Sequence, residues 1–189
     1  VLKDGGHEER SASYHILMLE RLIEVGCSIT IVNKEKPSWL SDVIENMTNW
    51  VQAIRLENGD FPSFNDSVKD SCPTIDTVRS FASAYLFGKQ FPMESLRKEL
   101  TNFSINNTPY KGQPKAIDIK KALITDLKET GWTILRPGGH WELVFKCGIP
   151  CPRHLPAHAH SDLLSFDLMK RGSPILAEAG TSIYGNNKS

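Results

Sequence analysis

The six histidines of this 189-residue chain fall into two groups that lie far apart in the sequence. His7 and His15 lie near the amino terminus, and no further histidine occurs before His140. The second group is completed by His154, His158 and His160. Histidine transfers protons near neutral pH and binds metal ions, so both groups are candidates for chemistry. A site that used both would need a fold that brings the two ends of the chain together.

The sharper of the two patterns is HAHSDLLSFDL at residues 158–168. If this segment is an unbroken strand, alternate side chains share one face. The residues on that face are His158, His160, Asp162, Leu164, Phe166 and Leu168. Because the face passes from proton-handling residues into apolar ones, it predicts a strand that is rooted in a core and opens into a site. The alternative interpretation is a set of surface polar residues at the fraying end of a strand.

Two histidines on one strand face can bind Zn²⁺, but a zinc site needs further ligands. Glu178 ends the next apolar run and could return alongside His160, and Asp162 competes for the same role. No histidine follows His160 in the sequence. We therefore expect a complete metal site to require a ligand from outside this chain.

The first pattern is DGGHEERSASYH at residues 4–15, a glycine turn that leads into a predicted helix. Tyr14 lies beside an arginine and a histidine in this pattern, and it could act as a proton-transfer phenol if its pKa fell from about 10. The simpler interpretation makes Tyr14 a packed helix aromatic. His7 and His15 likewise have structural interpretations.

Three helices are predicted ahead of the strands. The first begins near Tyr14, capped by Ser11 or Ser13, is apolar on several sides and ends at Gly26. The second opens at residues 37–38 and carries an apolar stripe to residue 54, and the third covers residues 73–88. A short helix could follow at residues 93–100. The polar stretch 102–115 contains two prolines, which indicates a boundary.

Beyond that boundary, short apolar runs between turn formers predict strands at residues 122–126, 132–135, 141–145, 163–169 and 175–177. Helices followed by strands indicate an α+β chain, with a helical part at residues 1–100, a linker at 101–115 and an antiparallel sheet at 116–189. Both parts look incomplete by themselves.

Composition excludes several classes of protein. Lys and Arg together number 22, and Asp and Glu together also number 22, which gives a net charge of zero. This charge gives no support for nucleic-acid binding. No apolar stretch is long enough to span a membrane.

The start lacks both an initiator Met and a leader, so targeting cannot be read and the chain resembles an excised piece of a longer protein. Cys147 and Cys151 are interpreted as loop thiols, with a disulfide between them as the alternative.

The segments at residues 4–15, 158–166 and 172–181 resemble the helix-entry and sheet motifs of the heparinase II/III-like polysaccharide lyases, and the loop at 59–66 resembles the family's link between helices. The resemblance covers most of the chain but only a middle slice of the family's architecture. It implies helices of an incomplete α/α toroid followed by antiparallel β-sandwich strands. It also implies a periplasmic or secreted protein with an acidic polysaccharide bound between the two parts.

The resemblance assigns roles to individual residues. Tyr14 resembles the tyrosine that transfers a proton during β-elimination on a uronate, and His158 resembles the histidine that assists it. His7 and Arg10 would bind substrate and Asp162 would support the site. His160 resembles a ligand of a structural zinc, and Glu178 stands where relatives commonly carry an aspartate ligand.

Two functional residues of the family have no counterpart in this chain. One is an Asn or His from an earlier helix, and the other is a metal-binding His from a later strand. The sequence therefore predicts a lyase fragment that is inactive without the remainder of its parent chain. The alternatives are a non-catalytic glycan-binding relative and, ranked last, a metal-dependent hydrolase that uses His158 and His160 as ligands.

Overall fold

The computed structural model describes residues 1–88, 123–154, 156 and 159–180. Within these residues, three α-helices precede a five-stranded antiparallel sheet. The helices are α1 (Ala12–Asn33), α2 (Ser38–Ile54) and α3 (Ile75–Phe87). The strands, paired in chain order, are β1 (Ile124–Leu127), β2 (Trp132–Gly138), β3 (Trp141–Lys146), β4 (Phe166–Lys170) and β5 (Ser173–Leu176). The predicted α+β class, with helices followed by antiparallel strands, is confirmed.

Helix α1 begins where the sequence predicts and ends later. Ser11 is the N-cap and its side chain accepts a hydrogen bond from the backbone N–H of Tyr14 at 3.4 Å. The helix passes through Gly26 and ends only before Lys34, whose φ is 61°. A Cβ at Gly26 would lie 2.7 Å from the ring of Tyr85. The predicted end at Gly26 is wrong. The helix continues through this residue, and the missing Cβ lets the ring of Tyr85 in α3 pack closely against α1.

The three helices share one core. Helix α1 buries the stripe Ile16, Leu19 and Ile23, whereas its Met18 and Val25 are exposed. The apolar stripe predicted for α2 is buried from Leu40 to Ile54, but Trp39 at its start is 63% exposed. No helix among the described residues is both long enough and apolar enough to cross a membrane.

The sheet packs one face against the helices. The buried side chains on that face are Leu127, Trp132, Ile134, Glu142, Val144, Lys146, Asp167 and Met169. Trp132 packs on Trp50 of α2 and on Phe64, with ring centroids 5.4 Å and 5.1 Å apart. The opposite face is apolar as well, and it borders an open cavity of about 410 Å³.

Strand β4 starts later than the alternating pattern predicts. Residues 160–165 are not strand; the backbone N–H of Ser165 donates to the carbonyl of Asp162 at 3.0 Å, and Leu164 has a φ of 68°. The prediction of an unbroken strand through residues 158–168 is therefore wrong, because a turn at residues 162–165 separates His160 from β4.

Some predictions concern residues outside the described ranges. The short helix at residues 93–100 and the linker at 101–115 lie there, and the division of the chain at that linker stays a prediction. The thiols of Cys27, Cys72, Cys147 and Cys151 are all free. The loop-thiol interpretation of Cys147 and Cys151 therefore describes their state in this structure.

Candidate functional site

The glycine turn at the amino terminus packs against both the helices and the sheet. Gly5 has a φ of 89°, and a Cβ there would lie 2.3 Å from the carbonyl oxygen of Asn46. At Gly6 a Cβ would lie 2.2 Å from the hydroxyl of Thr130. The carboxylate of Asp4 accepts hydrogen bonds from the backbone N–H of Gly6 at 3.1 Å and of Thr130 at 2.6 Å. These contacts explain why the turn uses Asp-Gly-Gly.

The start of α1, which carries Tyr14, is fastened to the connection between α2 and α3. The backbone N–H of Ala12 donates to the Ser67 hydroxyl at 2.8 Å, and the Ser13 hydroxyl donates to the carbonyl of Asp66 at 3.2 Å. Tyr14 itself is partly buried. The position of this side chain is therefore set jointly by α1 and by residues 66–67.

His160 meets the same connection from the sheet side. Its Nε2 lies 2.6 Å from Oδ1 of Asp66, and the two side chains are 28% and 9% exposed. Asp66 thus contacts the residue before Tyr14 through its carbonyl and His160 through its carboxylate. The structure brings the amino-terminal and carboxy-terminal motifs together at this residue. His158 lies outside the described residues, so its pairing with Tyr14 stays a prediction.

Asn65 joins the same two motifs through hydrogen bonds. Its side-chain Nδ2 donates to the carbonyls of Glu9 and Arg10, both at 3.2 Å, and to the carbonyl of Pro150 at 3.1 Å. Its backbone N–H donates to Oδ2 of Asp162 at 2.8 Å. Asn65 is fully buried and has a φ of 52°, a conformation that asparagine tolerates better than most residues.

Lys146 completes this cluster from strand β3. Its ammonium donates to Oδ1 of Asn65 and to Oδ1 of Asp162, and the side chain is fully buried. Burial lowers the pKa of Lys146, and the hydrogen bond and charge of Asp162 offset part of that effect. Asp162, predicted as a supporting residue, therefore binds both the backbone of Asn65 and the ammonium of Lys146.

Arg10 is enclosed by the protein. Its two terminal nitrogens donate to the carbonyls of Glu8 and Glu129 at 3.1 Å and 3.2 Å, and the residue is 5% exposed. Burial lowers the pKa of Arg10, although neighbouring acidic groups oppose the effect. Within the described part of the chain its Nε is buried without a hydrogen-bond partner. Little guanidinium surface remains for a glycan, and substrate binding by Arg10 stays a prediction.

The two amino-terminal histidines contact each other. The backbone N–H of His7 donates to Nδ1 of His15 at 3.1 Å, which leaves Nε2 of His15 to donate to the carbonyl of Met47 at 3.0 Å. His15 is fully buried and stacks on Trp50, and burial lowers its pKa to about 3. Burial also lowers the pKa of the half-buried His7. Both rings are therefore neutral near pH 7, and His15 orients the backbone of His7.

The predicted metal ligands His160 and Glu178 have protein partners in this geometry. Among the residues that the structure describes, no three His, Cys, Asp or Glu side chains are grouped to hold a metal ion. His160 instead pairs with Asp66, and the backbone N–H of Glu178 donates to Oδ1 of Asp167 at 2.7 Å. The described residues therefore do not form a zinc site by themselves, and ligation by His160 and Glu178 stays a prediction.

Sequence reasoning missed three residues of this site: Asn65, Asp66 and Lys146. The loop that contains Asn65 and Asp66 is recognisable by its turn formers, but nothing in the sequence marks these two side chains as buried. Lys146 had a usable signal, since strand alternation places it on the same face as the apolar Val144. A lysine on the core face of a strand requires a buried partner.

Comparison with known proteins identifies relatives of the chain. Residues 120–189 match the family described as Heparinase II/III-like, C-terminal. A search of curated protein sequences finds no match. The family resemblance drawn from the motifs is confirmed over the matched residues.

Solved structures extend the likeness to the helices. The heparan sulfate lyase HepC from Pedobacter heparinus is 26% identical, with a TM-score of 0.68 over 100% of this chain and 27% of that chain. The heparinase III that is the BT4657 gene product is 20% identical, with a TM-score of 0.67 over the same shares. The chain thus spans about a quarter of the length of these solved chains.

Proposed function

Because residues 120–189 match the Heparinase II/III-like C-terminal family, we propose that the chain forms part of the glycan cleft of a lyase for uronate-containing polysaccharides. The main support for this proposal is that Asp66 contacts both the start of α1, which carries Tyr14, and the segment that carries His160. The heparan sulfate lyase named among the structural neighbours makes a glycosaminoglycan the first substrate to test. A secreted or periplasmic location belongs to the same proposal.

The reaction is a β-elimination. A group in the cleft offsets the charge of the uronate carboxylate, the proton on C5 is removed, and the bond from C4 to the glycosidic oxygen breaks as the double bond forms. The leaving oxygen takes a proton. Such a site needs a proton carrier and a charge-neutralising donor close together. Tyr14 and His158 are proposed for these roles, and His7 for contact with the sugar.

The environment of His7 favours a neutral imidazole near pH 7. Burial lowers the pKa of His7, so its ring is uncharged at that pH and can donate a hydrogen bond to the sugar without placing a positive charge in the half-buried turn. The Nδ1 of His7 accepts from the backbone N–H of Glu9 at 3.4 Å, which leaves Nε2 as the protonated nitrogen. Zinc ligation by His160 and Glu178 belongs to the proposal only with a further ligand from beyond the described residues, because these do not complete a metal site.

The test is made in the complete protein that contains this chain. Tyr14→Phe should lower kcat on heparan sulfate by about 10²–10⁴-fold, the range for a lost general acid–base group. The readout is the ultraviolet absorbance of the unsaturated uronate. The matched control is Tyr85→Phe, because the hydroxyl of Tyr85 is buried against Gly26 and no hydrogen bond to it occurs in the described part of the chain.

Unchanged turnover in Tyr14→Phe would refute the catalytic assignment. If the complete protein binds heparan sulfate in calorimetry but produces no unsaturated uronate, the non-catalytic glycan-binding alternative replaces the lyase. For the 189-residue chain alone we propose no turnover on heparan sulfate, hyaluronan or alginate, and accumulation of unsaturated uronate would contradict that part of the proposal.

A further inference from the structure

We propose that Asn65, Lys146 and Asp162 are positioning residues, which hold the amino-terminal segment of residues 6–10 against the sheet so that His7 and Tyr14 face the cleft. The inference rests on the proposed function for what the segment does and on the contacts of the three residues for how it is held. None of the three is proposed to touch the glycan.

The hydrogen bonds of Asn65 join segments that are distant in sequence. Its side chain binds the carbonyls of Glu9 and Arg10 on one side and of Pro150 on the other, while its backbone binds Asp162. With Lys146 on Oδ1, both polar atoms of the Asn65 side chain are hydrogen-bonded. A fully buried residue with this many partners fixes the relative position of every segment that it binds.

Stability alone does not account for a buried charge pair. Lys146 is fully buried and Asp162 is 4% exposed, and moving both charges out of water costs about as much as their attraction returns. Apolar residues of similar volume would stabilise such a position as well or better. The charged pair instead fixes the orientation of Asn65, because the ammonium of Lys146 and the carboxylate of Asp162 each bind a different group of that residue.

Three of the six non-glycine residues that have a positive φ in the described part of the chain lie at the same place. Arg10, Asn65 and Leu164 have φ values of 54°, 52° and 68°, in the left-handed region that costs energy for residues other than glycine. Arg10 is bound by Asn65, and the backbone N–H of Leu164 donates to the carbonyl of Lys146 at 2.9 Å. Strain of this kind persists where surrounding contacts hold it, and it is frequent at functional sites.

The held segment leads directly to the predicted site residues. The backbone N–H of Arg10 donates to the carbonyl of His7 at 3.0 Å, so anchoring the carbonyls of Glu9 and Arg10 also fixes the turn that carries His7. Ser11, the next residue, caps the helix that presents Tyr14. Movement of residues 9–10 would therefore displace both candidate groups.

The first experiment compares Asn65→Gly with Asn58→Gly. Glycine keeps the left-handed backbone at position 65 and removes its side-chain bonds, while Asn58 is an exposed residue of the same connection. Amide hydrogen exchange at Arg10 should become at least tenfold faster in Asn65→Gly and change less than twofold in Asn58→Gly. In the complete protein, kcat on heparan sulfate should fall at least tenfold in Asn65→Gly only. Unchanged exchange at Arg10 in Asn65→Gly overturns the proposal.

The second experiment separates positioning from stability and does not require Asn65→Gly to fold. The double variant Lys146→Met/Asp162→Leu removes both buried charges but leaves Oδ1 and the backbone N–H of Asn65 without partners, so it should melt below the wild type. Exchange at Arg10 should accelerate at least tenfold more than exchange at the amides of helix α3, which report the loss of global stability. Acceleration at Arg10 no larger than in helix α3 overturns the proposal. Because exchange needs no glycan, a complete protein without lyase activity would count against the proposed function and leave this result unaffected.

Discussion

Among the described residues, two of the junctions between the helical part and the sheet have opposite character. One is aromatic, with His15 stacked on Trp50 at 4.3 Å and Trp132 between Trp50 and Phe64. The other is polar and is built on Asn65, Lys146 and Asp162. The aromatic junction buries large apolar surfaces, which contribute most to stability. The polar junction fixes the relative position of the segments that it joins, and the candidate site residues lie beside it.

The aromatic junction should show the largest loss of stability. Trp132→Ala leaves a cavity in a fully buried position and should lower the free energy of unfolding by about 4 kcal/mol, measured by urea denaturation. Trp132→Phe should cost less than half as much, because it keeps most of the ring and removes an indole N–H that has no partner in the described part of the chain. A loss below about 1.5 kcal/mol for the alanine variant would remove the contrast between the junctions.

A single change at the polar junction should cost somewhat less. Lys146→Met leaves the buried carboxylate of Asp162 without its cation and should lower the free energy of unfolding by about 3 kcal/mol. The control is Lys128→Met, an exposed lysine whose replacement should change stability by less than about 0.5 kcal/mol. Equal losses for the two lysines would show that the buried pair has no special role.

Acid should weaken the aromatic junction through His15. Its folded pKa of about 3 lies below the unfolded value of 6.5, so between these values the unfolded chain binds a proton that the folded chain does not. Stability therefore falls as the pH drops from 6.5 towards 3, by about 1.4 kcal/mol per pH unit from this group alone. His15→Gln should remove that part of the slope in urea titrations at several pH values. The exposed His140→Gln should retain it.

An exposed ion pair gives the smallest effect and calibrates the buried one. Arg55 binds Asp76 through Nε at 3.0 Å and Nη2 at 2.8 Å, and the Asp76 side chain is 58% exposed. Asp76→Asn should lower the free energy of unfolding by at most about 1 kcal/mol, and less at high salt. A loss as large as that of Lys146→Met would mean that burial does not distinguish the two pairs.

Local rules predict the elements of this fold well. Pro37 and Thr74 precede α2 and α3, and Gly88 follows α3, as capping preferences require. The error at Gly26 has a tertiary cause, because only the packing of Tyr85 explains a glycine inside a helix. Strand positions follow from alternation, but the turn at residues 162–165 depends on contacts with Lys146 that no short window contains.

The candidate site was less predictable. The residues that carry recognisable chemistry, such as Tyr14 and His160, stand out by type and motif. Asn65 and Asp66 do not, because their roles follow from bonds to residues that are remote in sequence. Amide and carboxylate side chains in a loop are ordinary on a surface, and only the three-dimensional structure shows that these two are buried.

The order of the strands has a consequence for how the helical part and the sheet come together. Each strand pairs with its neighbour in the chain, so the sheet can form hairpin by hairpin from nearby residues, and the helices are local as well. The bond from Asn65 to Asp162 spans 97 residues and the bond from Thr130 to Asp4 spans 126. Closing such long loops costs entropy that only docking of the two halves repays. We therefore expect the contacts of Asn65 with Asp162 and of Asp4 with Thr130 to form only after the local helices and hairpins.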